Sequence, residues 1–106
     1  MMLNKELEFN LRILKGLIKI AKELYRNKKD PLEFFEELRK EGDVDTAFAL
    51  GALTAIRVDP FRITFTKNLL SILEKLEGNK SEEKILKEFE EELKEKRFDD
   101  FKMYGG

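Results

Sequence analysis

The chain has no cysteine, histidine, tryptophan or glutamine. Without cysteine there is no disulfide and no thiolate nucleophile, and nothing points to secretion. Without histidine there is no imidazole base, and the usual zinc and haem ligands are missing. The six glycines are scattered, so no glycine-rich loop can cradle a phosphate. Ser71 and Ser81 are the serines, and neither sits in a Gly-x-Ser-x-Gly elbow. The longest uncharged run, Thr46 to Ile56, is far short of the ~20 residues that span a bilayer. Charges at Lys5, Glu6 and Glu8 precede any apolar run, which is not the pattern of a secretory leader. From these absences we expect a non-catalytic, cytoplasmic protein with no catalytic residue, no cofactor and no metal. An acid–base pair made of carboxylates or lysine is chemically open, but 22 acidic residues single out no candidate.

What is abundant is charge. Charged residues make up 41% of the chain, against roughly 25% in an average globular protein. The 21 basic and 22 acidic groups nearly cancel, so net charge alone argues for no polyanionic partner. Lys and Glu dominate the charged set, a composition typical of heat-adapted proteins. The signs are segregated: residues 1–30 hold eight basic and four acidic groups, whereas residues 31–60 hold three and seven. Segments of opposite sign can neutralise each other once folded.

The hydrophobic share, 42%, supports a packed domain of 106 residues. Periodicity and capping signals predict an all-α bundle of about five helices in one domain over 1–106. The first helix spans 4–28. Its seam is Leu7, Leu11, Leu14, Ile18, Ala21 and Tyr25, widened by Ile13, Leu17, Ile20 and Leu24. Asp30-Pro31-Leu32-Glu33 opens a second helix over 31–41, with Leu32, Phe35 and Leu38 inward and Gly42 as its stop. Asp43 or Asp45 caps a third over 46–57. That helix is apolar all round, so it is expected at the buried centre of the bundle. Its Ala47, Gly51 and Ala55 form a small-residue edge for another backbone to approach.

Asp59-Pro60 opens a fourth helix over 60–77, burying Phe61, Phe65, Leu69, Ile72, Leu73 and Leu76 and stopping at Gly78. Residues 61–66 alternate like a strand, but the helical period continues to Leu76. Ser81 caps a fifth helix over 82–97, with Ile85, Leu86, Phe89 and Leu93 inward. Phe98, Phe101 and Tyr104 read as a last turn packed on the core. The final Gly105-Gly106 matches the end of ubiquitin-like modifiers only by chance, since those are β-grasp folds.

The candidate binding residues form a basic stripe on the first helix. Arg12, Lys15, Lys19, Lys22, Arg26 and Lys29 fall 3, 4, 3, 4 and 3 apart, on one helical face. The stripe calls for anionic company. That company is either the Glu-rich helices of the same or a neighbouring subunit, or the backbone of a nucleic acid. An anionic membrane surface suits it less, because the apolar face of the same helix is needed by the core. A small anion is the remaining ligand class. Glu41, Asp43 and Asp45 could surround a cation but are better explained as caps. Glu88, Glu91, Glu92 and Glu95 form an acidic face that is either solvated or paired to the stripe. Helices two and three do not make a DNA-reading pair, since Thr46–Ile56 offers no charge to base edges.

Phe9, Phe34, Phe35 and Phe61 exceed what one inward face requires. Some must lie outside, which predicts self-association or a protein partner. The sequence therefore points first to a structural or interaction module. A sequence-independent nucleic-acid-binding protein using the first helix is the alternative.

Overall fold

A computed structural model of the chain describes residues 4–54 and 60–95. Five α-helices share one hydrophobic core: α1 (Asn4–Ile20), α2 (Pro31–Glu41), α3 (Val44–Leu53), α4 (Pro60–Glu77) and α5 (Glu82–Glu95). The all-α bundle follows from the apolar periods, and the caps fix its corners. Asp30 accepts a hydrogen bond from the Glu33 N–H at 3.0 Å, and Pro31 occupies the first helical position. Gly42 ends α2 in the left-handed region at φ 68°, which a residue without Cβ adopts at no steric cost. Asp43 caps α3, accepting from the Thr46 N–H at 3.1 Å and from the Thr46 hydroxyl at 2.7 Å. Ser81 caps α5 through the Lys84 N–H. At the end of α4 the left-handed residue is Asn79, at φ 63°, one position after Gly78.

Residues 62–66 are helical, in line with the 3.6-residue period through Phe65, Leu69, Ile72 and Leu76, all buried. The β-branched Thr66 is accommodated because its hydroxyl donates to the Arg62 carbonyl one turn back, at 2.7 Å. In α5 the inward residues are Ile85, Phe89 and Leu93. The Phe61 side chain, the end of the third helix beyond Thr54 and the aromatic tail lie outside the described residues.

Three expectations are corrected. The first concerns the centre of the bundle, which is α1 and not the helix predicted over 46–57. Ile13, Leu14, Leu17, Ile18 and Ile20 are at most 2% exposed, and α1 packs against α3, α4 and α5. In α3 the fully buried residues are Thr46 and Ala49, while Val44 is 73% and Phe48 45% exposed. Being apolar all round makes burial favourable but does not supply neighbours on every side. The wide stripe of the longer α1 attracts three helices; α3 is short and lies on one side of it.

The second concerns glycine. Among the described residues a Cβ at Gly51 would meet nothing within 4 Å, so none of them brings a backbone against Gly51. The close approach is at Gly16, where an added Cβ would lie 3.0 Å from the Thr46 Cα and 3.2 Å from its nitrogen. Gly16 is what lets the start of α3 lie directly on α1.

The third concerns side-chain direction. In α2 the inward pair is Phe34 and Leu38, one turn apart, leaving Phe35 56% and Leu32 78% exposed. Adjacent phenylalanines made both rotations of α2 read alike. In the first helix, α geometry ends at Ile20 and a π-helical turn covers Ala21–Arg26. There the Asn27 N–H reaches back five residues to the Lys22 carbonyl at 2.8 Å. The extra residue in that turn rotates the side chains after it, which carries Tyr25 off the seam and into solvent.

Candidate functional site

The basic stripe lines one wall of a cleft of about 520 Å³ between α1, the start of α3 and the start of α5. Gly16 and Thr46 form its floor, where the two backbones meet. Four cations reach it, Arg12, Lys15, Lys19 and Lys22, and four carboxylates, Glu23, Asp43, Asp45 and Glu82. The cleft is therefore charge-balanced by its own walls.

Most of the predicted binding residues have an intramolecular partner. Lys19 is held most firmly, with its ammonium 3.1 Å from Asp43 Oδ2 and 3.3 Å from Glu41 Oε2. Burial is the largest influence on Lys19 and opposes its charge. Hydrogen bonds to Asp43 and Glu41 outweigh it and raise the pKa. Burial also works against the Asp43 carboxylate, but hydrogen bonds from Thr46 and Lys19 prevail and hold its pKa below the ordinary value. Arg12 pairs loosely with Asp45 at 3.7 Å, and Lys22 with Glu82 at 3.5 Å. Beyond the π turn, Lys29 bonds Glu37 at 2.6 Å and Glu23 at 3.2 Å, and its pKa rises chiefly through the Glu37 bond. Lys15 and Arg26 are exposed, without an ion pair among the described residues.

The acidic partners are not the ones the fifth helix suggested. Glu88 bonds Lys80 at 2.9 Å and Lys75 at 3.2 Å, away from the stripe, and these bonds lower its pKa. Lys75 also lies over the Phe89 ring, 4.3 Å from its centre. At Arg12 and Lys19 the stripe is neutralised instead by the α2–α3 corner, where Glu41, Asp43 and Asp45 sit. The same residues that cap and close that corner serve as its counter-ions. Among the described residues no three acidic side chains converge to hold a metal ion, and no helix is long and apolar enough to cross a membrane.

The second surface of note is apolar. Large hydrophobic side chains stand exposed in pairs at helical spacing: Leu32 and Phe35 on α2, Val44 and Phe48 on α3, Ile63 and Leu70 on α4. The surplus of phenylalanine pointed to such exposure and included Phe35, but not the other positions. On α3 the exposed residues are Val44, Phe48 and Gly51, at i, i+4 and i+7. Phe48 is anchored from beneath. Its ring lies 6.0 Å from that of Phe65, edge-on, and 6.5 Å from that of Phe9.

Compared with known protein families, with curated proteins and with solved structures, the chain matches none.

Proposed function

We propose that the protein is a non-catalytic helical interaction module that associates with itself or joins a larger protein assembly. The observation that carries this reading is the set of large apolar side chains left exposed on α2, α3 and α4. Single exposed hydrophobics are ordinary, but repeated pairs on consecutive helices are what an association surface requires. The Lys- and Glu-rich composition and the absence of cysteine favour a cytoplasmic setting in a heat-adapted cell. Sedimentation across concentrations tests the reading. Species heavier than 12.5 kDa, growing with concentration, are expected; a 12.5 kDa monomer throughout would remove self-association.

Sequence-independent nucleic-acid binding is the competing reading, and Lys15 and Arg26 are the cations that favour it. Each phosphate neutralised releases about one counterion, so such binding would fall steeply with salt. The internal pairs weigh against it, since Lys19, Lys22 and Arg12 would have to exchange partners. The triple change Lys15→Ala, Lys19→Ala, Lys22→Ala separates the readings. On ours it lowers the melting temperature by roughly a few degrees, and neither protein retards DNA or RNA in a gel at low salt. Retardation by the parent at tens of micromolar, lost in the triple variant, would favour the nucleic-acid reading.

A further inference from the structure

We infer that the outer face of α3 is a self-complementary interface, and that its occupant is the α3 of a second copy of this chain, packed antiparallel about a two-fold axis. The inference rests on the self-association reading and names its surface. Three observations lead to it.

The face has no charge. After Asp45 no charged residue occurs in α3, and its outward positions are Val44, Ala47, Phe48 and Gly51. In a chain that is 41% charged, most other surfaces would bury an unpaired charge against it. The exposed pair on α2 is flanked by Glu33, Glu36 and Arg39, and that on α4 by Lys67 and Glu74. Among the described residues, a second copy of α3 is the surface that meets α3 without that cost.

The face also has complementary relief. Phe48 is 45% exposed, and Gly51 beside it is exposed with no described residue within 4 Å of a Cβ placed there. The two positions are three residues apart on one face. An antiparallel two-fold passing midway between them seats Phe48 of each copy over Gly51 of the other. The knob of one copy fills the notch of its mate, twice, as an isologous contact requires.

Charge at the ends sets the direction. Asp43 and Asp45 lie together at the start of α3. Parallel packing would align the two helix dipoles and crowd these two corners, although each carboxylate has a cation of its own in Lys19 or Arg12. Antiparallel packing puts them at opposite ends of the contact and opposes the helix dipoles. The contact is one helix of 10 residues, so the dimer forms in the micromolar range or weaker.

Sedimentation equilibrium from about 1 to 500 µM provides the test, with Gly51→Glu as the variant. Because Gly51 is an exposed helical position, the monomer keeps its helical circular dichroism and its melting temperature does not fall. The dimer dissociation constant rises about tenfold or more, since a charge is buried in each half of the contact. Val44→Glu, at a 73% exposed position, weakens the dimer as well. A dimer that survives Gly51→Glu but yields to Leu32→Glu would overturn this surface while leaving self-association standing. A wild-type protein of 12.5 kDa throughout would overturn both.

Discussion

The charged face of α1 and the outer face of α3 invert what their sequences advertise. The stripe of six cations is the most conspicuous pattern in the chain, yet four of the six are paired to carboxylates of the same molecule. The third helix looks like the least available segment, yet Val44, Phe48 and Gly51 stand open to solvent. Charge can be satisfied locally, by the acidic corner that the capping chemistry places beside it. Apolar area is satisfied only by neighbours, and those of α3, namely α1, α2 and α4, leave Val44, Phe48 and Gly51 outside. The surface we propose for a partner is therefore the apolar one.

The largest expected effect lies where the two regions touch. Gly16→Val should push α3 away from α1, because even the first added carbon meets the Thr46 backbone at 3.0 Å. Overpacking of this kind costs about 1–3 kcal/mol, and more where backbone is the obstacle. The companion change, Gly51→Ala, should raise monomer stability by about 0.4–1 kcal/mol, because an exposed helical glycine is replaced without a clash. Urea unfolding of both variants measures the pair. Equal effects would mean that the two glycines do not differ as described.

Next in size is Asp43→Ala, expected to cost about 1–2 kcal/mol through the lost cap of α3. It also removes the closest partner of Lys19. Asp30→Ala loses a cap without an ion pair to the stripe, so the smaller cost should be there. Thermal unfolding of the two variants decides whether the corner is both cap and counter-ion.

The pH dependence is smaller and has a defined sign. The pKa values of Asp43 and Glu88 are lowered in the folded state, so their stabilisation is complete above the unfolded carboxylate values. It drains as pH falls through the folded ones. Lys19 is raised, so its contribution is complete below 10.5 and is lost as pH climbs through its folded value. With no histidine, stability should be flat between about pH 6 and 8. Asp43→Asn should show a shallower loss below pH 4 than the parent in acid titrations followed by circular dichroism.

Much of this was readable from residues. Asp30-Pro31 and Asp43 mark helix starts because a short acceptor and a donor-less proline suit the first turn, and both are used that way. The periods through Phe65–Leu76 and Ile85–Leu93 name their buried faces, since the 3.6-residue repeat leaves one choice. The rotation of α2 was not legible, because Phe34 and Phe35 satisfy the inward position equally well. Nor was the exposure of Tyr25, which depends on a π turn that interrupts the period after Ile20. Gly16 and Gly51 look alike in a helical pattern; only the crossing of α1 and α3 distinguishes them. The stripe was legible as a set of residues on one face. Its partners were not, because pairing to Asp43 or Glu82 depends on which helices lie alongside.

The salt dependence of self-association tests the contrast between the two faces most directly. The dimer dissociation constant would be measured by sedimentation in NaCl from about 0.05 to 1 M, across which the screening length falls from more than 10 Å to about 3 Å. An apolar contact through α3 predicts a constant that stays level or tightens. A constant that weakens tenfold or more over that range would place the charged face of α1 at the interface and contradict the account.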